Sequence, residues 1–266
     1  KDSLRPLYKR LLPKIRVSSL GEFTVRKEGR HPVQVLFEGA RPVLLLKAIV
    51  LHGAKDIPKE ILIDNLWPDA GAESGEKNFK INLHRLRKSL EPDADRQFGY
   101  SYIIQKSGLV SFDPTLVQID TDRFMKMSSL AQKCEQGNEP DKALEFYEKA
   151  VRLYQGDYFA EEPYLEWIHR RRDLFRARFL EILQKKARLH EEQDQPQKAI
   201  AAWHRVVQTD PCFEKAYRNL MILYADTGQK SVALDTFEEC KMILEKELGV
   251  HPDKQTRQIY NRICQM

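Results

Sequence analysis

The clearest pattern of apolar and polar positions along the chain lies in residues 76–90, EKNFKINLHRLRKSL. Apolar side chains recur there every three or four positions, as on the buried face of an α-helix: Phe79, Leu83, Leu86 and Leu90. At about 100° per residue, a mainly cationic set falls on the opposite side: Lys77, Ile81, His84 and Lys88, with Asn78 and Arg85 at its edge. Such a helix fits the major groove of DNA, although an ordinary solvated amphipathic helix has the same pattern.

Short strands and two apolar helices are predicted before this amphipathic helix. Runs of β-branched and aromatic residues near glycine predict strands at residues 15–20, 23–25 and 33–37. The apolar run 42–52 predicts a helix that ends before Gly53, and residues 59–67 predict a second helix bounded by prolines. The apolar residues of this second helix are expected to point inward: Ile61, Leu62 and Leu66. A polar loop, residues 69–75, then leads to the amphipathic helix.

A β-hairpin is predicted after the amphipathic helix. Residues 101–104 and 109–112 are β-rich, and Lys106, Ser107 and Gly108 lie between them. Lys106 at the tip of this hairpin could reach a phosphate or the minor groove of DNA, or it could be a solvated turn lysine. The predicted order of elements in the first half of the chain is therefore strands, three helices and a hairpin.

The second half of the chain is predicted to be helical and repetitive from residue 120 onward. Three segments share a frame in which an alanine is followed four residues later by an aromatic residue: Ala143 and Tyr147, Ala199 and Trp203, Ala233 and Phe237. The second and third alanines lie 34 residues apart, which is the period of a tetratricopeptide repeat (TPR). The same shift places Asp194 on Gly228, where the turn between paired helices is expected. A bundle without repeats is the alternative.

The positive charge is concentrated in the first half of the chain. The 266 residues carry a net charge of +5 and are 42% hydrophobic and 31% charged, which is typical of a globular protein with two domains. Residues 1–113 contain 20 basic and 14 acidic residues, whereas residues 114–266 contain 24 and 25. This asymmetry favours polyanion binding by the first half and protein–protein contact by the second.

Several function classes find little support in the sequence. It contains no apolar stretch of about 20 residues, no apolar signal-peptide core, and no cysteine pair with metal-ligand spacing. Residues 71–78 partly resemble a phosphate-binding loop, but only three residues separate the two glycines where that loop needs four. No nucleophile motif or zinc motif is complete. We therefore expect no enzyme activity, no cofactor, no metal and no membrane association. The four cysteines are expected to be buried, reduced thiols of a cytoplasmic protein: Cys134, Cys212, Cys240 and Cys264.

Two sets of motifs resemble known families. The first half of the chain resembles the OmpR/PhoB-type winged-helix DNA-binding domain. The matching motifs are residues 17–25 (Val-x-x-Leu-Gly-x-Phe-x-Val), Leu66-Trp67, residues 83–90 and Gly99-Tyr100. The second half resembles the bacterial transcriptional activation domain. The matching motifs are residues 120–124, Gly156-Asp157 and residues 245–252 (Glu-x-Glu-Leu-Gly-Val-x-Pro). In this order, the two modules are similar to the SARP family of bacterial activators.

The resemblance implies roles for individual residues. It places Asn78, Lys80 and Arg85 near base edges, although family members often carry an acidic or uncharged residue at the position of Lys80. It also places a second group near phosphates: Lys77, Asn82, His84 and Arg87. Of these, Asn82 lies close to the core edge of the predicted helix. The loop with Asp69 and Glu73 corresponds to one that can meet RNA polymerase in related activators, or it is a plain connector.

These observations give one set of expectations. The fold is mostly α with a minor β part: a linker (residues 1–14) from an upstream sensor or NTPase region, a winged-helix domain (15–113) and a TPR-like activation domain (114–266). The function is sequence-specific binding of double-stranded DNA by a transcriptional activator, with two copies on repeated half-sites. The helical domain is expected to mediate self-association or contact with RNA polymerase. The DNA-contacting residues are Lys77, Asn78, Lys80, Ile81, His84, Arg85, Arg87, Lys88 and Lys106. The alternative is a protein-interaction adaptor whose winged helix no longer reads DNA.

Overall fold

A computed structural model describes residues 4–95, 97–162 and 165–266. These residues divide by their contacts into two compact units, which we call the N-terminal and C-terminal units. The N-terminal unit takes its residues from Lys1–Phe124 and Leu153–Asp173, and the C-terminal unit from Met125–Arg152 and Leu174–Met266. The division differs from a single cut at residues 113 and 114, because a segment from the second half of the chain returns to the first unit.

The first sheet of the N-terminal unit has the strand order β3-β2-β1-β7. Its strands are β1 (Ile15–Ser18), β2 (Thr24–Lys27), β3 (Val33–Gln34) and β7 (Val117–Ile119). β1 pairs with β2 antiparallel and with β7 parallel, so that residues a hundred positions apart lie side by side. Ile15, Val17 and Val25 alternate with exposed or partly exposed residues and are buried, as their period of two predicts.

Four helices precede the hairpin in the described part of this unit. They are α1 (Arg5–Leu11), α2 (Ala40–Leu51), α3 (Lys59–Leu66) and α4 (Ala72–Leu90). α2 ends just before Gly53, which has a φ of +85°. In α3, Leu62 and Leu66 are buried as predicted, but Ile61 is 39% exposed, so the inward orientation expected for Ile61 is wrong.

α4 begins four residues earlier than its pattern predicts, because Gly75 is helical and not part of the loop. Gly75 is buried, and a Cβ atom there would lie 2.8 Å from the Cγ2 atom of Ile63 in α3. Glycine thus allows α3 and α4 to approach closely, at the usual cost of glycine inside a helix.

The second sheet contains the predicted hairpin. Its order is β4-β6-β5, with β4 (Ile57–Pro58), β5 (Ile103–Lys106) and β6 (Leu109–Phe112). Lys106 pairs with Leu109 across a two-residue turn. Ser107 and Gly108 in this turn have φ values of +52° and +79°, which is the type I′ geometry that matches the twist of a hairpin.

A buried carboxylate joins the residues that follow β1 to the start of the second half of the chain. Asp120 accepts hydrogen bonds from the backbone N–H groups of Ser19 (2.6 Å) and Leu20 (2.8 Å) and from the Ser19 hydroxyl (2.7 Å). Burial raises the pKa of Asp120, and these donors oppose the shift. Asp120 and the Leu20-Gly21 pair, which belong to the two separate motif sets, therefore meet in one place.

Residues 154–162 belong to the N-terminal unit and do not form a helix, so the expected helical character from residue 120 onward fails there. The backbone N–H of Phe159 donates to Ser19 O (2.8 Å), and that of Gln155 donates to Leu20 O (3.1 Å). Lys47 of α2 is buried beneath this segment, and its Nζ lies 2.8 Å from Glu161 Oε1 and 2.7 Å from Glu162 Oε1. A buried ammonium group needs such partners, and their loss would leave an unpaired charge in the interior.

The C-terminal unit consists of helices, some of which start in the N-terminal unit. The helices are α5 (Asp120–Gln136), α6 (Pro140–Leu153), α7 (Glu166–Glu192), α8 (Pro196–Thr209), α9 (Glu214–Asp226), α10 (Lys230–Leu248) and α11 (Lys254–Gln265). The three repeated alanines and the aromatic residues that follow them are all buried.

The turns before the repeated alanines have the same geometry. Asn138, Asp194 and Gly228 each lie five residues before one of these alanines, and their φ values are +56°, +54° and +74°. The next residue in each turn donates its N–H over 2.8 Å to a carbonyl five residues back. Three pairs of helices are thus joined by turns of the same geometry. This confirms the TPR-like arrangement and the mostly α fold class.

Two further expectations need correction. Part of the segment expected to be a linker forms α1, in which the Tyr8 ring stacks on Phe98 with centroids 4.8 Å apart and Lys9 pairs with Asp113. The four cysteines are free thiols, but only Cys240 is buried and Cys264 is exposed. Within the described residues, none of the helices combines the length and apolar character needed to cross a membrane.

Candidate nucleic-acid interface

α4 presents an exposed cationic face on the side opposite its core contacts. Phe79, Leu83, Leu86 and Leu90 are buried, and α4 packs on α2 and α3. The exposed side chains on the other side are Lys77, Lys80, Ile81, His84, Arg85 and Lys88, and Asn78 is half-buried at the edge. Among the described residues, Lys77, Arg85 and Lys88 form no salt bridge, so their charges are available to a partner.

Glu76 organises the first turns of this face. Its carboxylate accepts two hydrogen bonds of 2.9 Å from Lys59 and lies 3.3 Å from Lys80 Nζ. The hydrogen bond from Lys59 is the main cause of the lowered pKa of Glu76, and the same bond raises the pKa of Lys59. Lys80 remains largely exposed, so it can exchange Glu76 for an external anion without leaving a buried charge.

Arg87 contacts the hairpin and does not extend outward. Its Nε and Nη2 atoms donate to the carbonyl oxygen of Ile103 at 3.2 and 3.0 Å, and its guanidinium lies 5.8 Å from the centroid of the Tyr100 ring. Burial lowers the pKa of Arg87. A phosphate contact by Arg87 would have to use its remaining N–H groups, so the main role of Arg87 in the structure is to attach β5 to α4.

Asn82 is also placed differently from the role implied by the resemblance. It is buried, and its Nδ2 atom donates to Asn78 O over 2.8 Å inside α4. Its Oδ1 atom is buried without a partner. A phosphate contact at Asn82 is therefore wrong for this structure, in agreement with the core-edge position that the helical period gives it.

The hairpin places a further cation near the end of the sheet. Lys106 is exposed at the end of β5, directly before the type I′ turn. The carbonyl of Gly108 in that turn accepts a 2.9 Å hydrogen bond from the backbone N–H of Lys59, which lies at the start of α3. The turn is thus attached to the helical part of the unit, and this attachment fixes the position of the Lys106 backbone.

Tyr100 belongs to the candidate interface but was considered only as part of a motif. Its ring centroid lies 6.1 Å from that of His84 in an edge-to-face arrangement, and it also contacts Arg87. Aromatic residues at the start of a hairpin give no sequence signal for such a contact, because the contact depends on where the hairpin returns to α4.

The loop expected to meet a polymerase is shorter than predicted. Asp69 lies in it and is exposed, but Glu73 lies in the first turn of α4, where a carboxylate is favoured by the helix dipole.

Among the described residues, no three His, Cys, Asp or Glu side chains are grouped so that they could hold a metal ion.

Comparisons with known proteins place this geometry in context. The chain is 24% identical to the regulatory protein AfsR of Streptomyces coelicolor, over 83% of this chain and 22% of that protein. It is 23% identical to the transcriptional regulator RedD of the same species, over 78% of this chain and 59% of RedD. The chain therefore spans about a fifth of the length of AfsR, the longer of these two regulators.

A solved structure and a family model also match. The structure of Mycobacterium tuberculosis EmbR in complex with a low-affinity phosphopeptide superimposes with a TM-score of 0.73 and 16% identity, over 95% of this chain and 65% of that one. At this identity the likeness shows the fold alone, that of a winged helix followed by a TPR-like helical domain. The model of the bacterial transcriptional activator domain matches residues 119–264, which is more than half of the sequence. The chain thus belongs to the bacterial transcriptional activator domain family.

Proposed function

We propose that the chain is the DNA-binding and effector part of a SARP-type transcriptional activator, and that α4 binds the major groove of promoter DNA. The observation that carries this proposal is the exposed cationic face of α4, opposite a face that is completely buried. α4 contains five basic and two acidic residues, and both acidic residues lie in its first five positions. The remaining length can approach a polyanion without repulsion from its own carboxylates.

The exposed side chains suit two kinds of contact with DNA. Arg85 carries the planar guanidinium that pairs with guanine O6 and N7, and Asn78 has the amide that pairs with adenine. Lys77 and Lys88 are point charges suited to phosphates, as is Lys106 at the hairpin turn. Ile81, 41% exposed between these cations, can contact a thymine methyl group.

The proposed mode of binding uses two copies of the chain on repeated half-sites. A single winged helix offers a small base-reading surface, so tight specific binding needs a second copy. The C-terminal unit, with 20 basic and 18 acidic residues, is poorly suited to bind DNA by charge. We propose that it supplies protein–protein contact, including contact with RNA polymerase, and that the full-length protein is cytoplasmic and carries a sensor or NTPase region upstream.

Selection of bound sequences from random duplex DNA by the intact chain tests the proposal. We expect a repeated motif to be enriched and binding to weaken steeply as salt rises, because bound cations release counterions from the phosphates. Recovery of unenriched sequences, with binding that is weak and insensitive to salt, would favour a protein-interaction adaptor instead.

A further inference from the structure

A groove in the C-terminal unit lies between α6, α7 and α8. It has a volume of about 590 Å³. Its apolar lining comes from all three helices: Leu144, Val151, Leu183, Ala201 and Ala202. The two alanines leave room above α8, so an apolar side chain from outside can rest there without moving the helix.

Two exposed cations border this groove. Lys198 and Arg205 lie seven positions apart on α8, on the same face as Ala201 and Ala202, and both are exposed. Within the part of the chain that the structure describes, neither forms a salt bridge. Seven residues of helix rise about 10 Å, so the two charges match carboxylates three residues apart on an extended peptide or seven apart on a helical one.

The other charged groups of the groove are already paired or neutral. Lys186 of α7 forms a salt bridge with Glu148 of α6, and this bond lowers the pKa of Glu148. His190 is buried beside them, and burial, followed by the nearby charge of Lys186, lowers its pKa. The lowered pKa of His190 favours its neutral form, so the positive charge available to a partner in the groove is that of Lys198 and Arg205.

We propose that this groove binds an acidic amphipathic segment of a partner protein, with its carboxylates on Lys198 and Arg205 and an apolar side chain on the floor. The inference rests on the proposed role of the C-terminal unit in protein contact and names the kind of partner. Nucleic acid suits the groove less well, because phosphates gain nothing from an apolar floor and two free cations give only weak, salt-sensitive binding. A peptide uses both features, since burial of one large side chain adds to the charge pairing.

A displayed library of random peptides, selected on the intact chain, provides the probe. We expect the selected peptides to be enriched in Asp and Glu together with Leu, Ile or Phe. Fluorescence anisotropy with one labelled selected peptide then measures affinity for the intact chain and its variants. The double variant Lys198→Glu/Arg205→Glu should bind about tenfold more weakly or worse, because attraction becomes repulsion at both charges. Lys198→Gln/Arg205→Gln should show a smaller loss.

The matched control reverses the same two residue types elsewhere. Lys254 and Arg257 are exposed on α11, outside the groove, and Lys254→Glu/Arg257→Glu should leave peptide affinity unchanged. Unchanged circular dichroism of each variant shows that the fold is intact. The proposal is overturned if no acidic peptides are selected, if the groove variant binds them as well as the parent does, or if it loses binding to a random DNA duplex instead. DNA binding is measured on the same variants, and a failure of α4 to bind DNA would contradict the proposed function without bearing on peptide binding by the groove.

Discussion

Gly21 and Gly156 pack backbone against backbone, at the point where the returning segment meets the first sheet. A Cβ atom on Gly156 would lie 3.2 Å from the Cα atom of Gly21, and a Cβ atom on Gly21 would lie 3.3 Å from the nitrogen of Gly156. The N–H of Gly21 also donates to the carbonyl of Asp157 over 3.1 Å. These two glycines belong to the two motif sets of the sequence, and their contact explains why each motif contains a glycine.

We predict that Gly156→Ala destabilises the N-terminal unit by about 1–3 kcal/mol, because the added methyl group meets backbone and not a flexible side chain. Gly21→Ala should cost at least as much, since Gly21 also has a φ of +115°. Urea unfolding followed by tryptophan fluorescence measures both. Gly71→Ala is the control, because a Cβ atom there meets nothing within 4 Å. Equal midpoints for all three variants would show that the close contact contributes nothing to stability.

For the base-reading role of Arg85, we predict that Arg85→Ala weakens the binding free energy on the selected DNA by about 1–3 kcal/mol and removes the base preference at one position of the site. Lys77→Ala should instead weaken binding to all sequences alike and lower the salt slope by roughly one. Repeating the DNA selection with each variant separates these effects, and Arg257→Ala on α11 serves as the control. If Arg85→Ala kept the full sequence preference, the assignment of Arg85 to base reading would be wrong.

For the hairpin, we predict that Lys106→Glu weakens binding to the selected duplex and to random duplexes by a similar factor, because a phosphate contact carries no base information. The type I′ turn formed by Ser107 and Gly108 should be unaffected, so the hairpin should keep its shape. Titration of both duplexes against the variant measures the change. Unchanged affinity on both would leave the hairpin turn without a role in binding.

For the repeats, we predict that Ala199→Leu and Ala233→Leu each destabilise the C-terminal unit by about 1–3 kcal/mol through overpacking. Both alanines are completely buried where paired helices cross. Thermal unfolding of the intact chain measures the effect, and Ala177→Leu at an exposed position of α7 is the control. Melting temperatures that match the control at both buried positions would contradict the repeat alignment.

The sequence predicted those features that depend on local spacing. The two faces of α4, the hairpin turn at Ser107 and Gly108, and the three repeats follow from helical period, turn chemistry and a recurring frame. These patterns are set by residues a few positions apart, or by a repeat that can be read directly.

Other features depend on contacts between distant parts of the chain, which no local pattern contains. The segment that returns to the first unit is held by hydrogen bonds from Phe159 to Ser19 and from Gln155 to Leu20, and Asp120 bonds Ser19 across 101 residues. The position of Arg87 depends on the carbonyl of Ile103, and the helical state of Gly75 depends on Ile63 in another helix. For the same reason a fragment that ends at residue 113 would lack β7 and Asp120, so the intact chain is the better material for every test.

The central claim is that the exposed face of α4 binds duplex DNA. Its most direct test titrates the selected duplex against the intact chain and against the triple variant Lys77→Ala/Arg85→Ala/Lys88→Ala. The three residues are exposed and form no salt bridge among the described residues, so the variant should keep its circular dichroism spectrum and melting temperature. We predict that specific binding is lost in this variant and that the remaining affinity is the same for all sequences. A variant that binds the selected duplex as tightly as the parent chain does would contradict the claim.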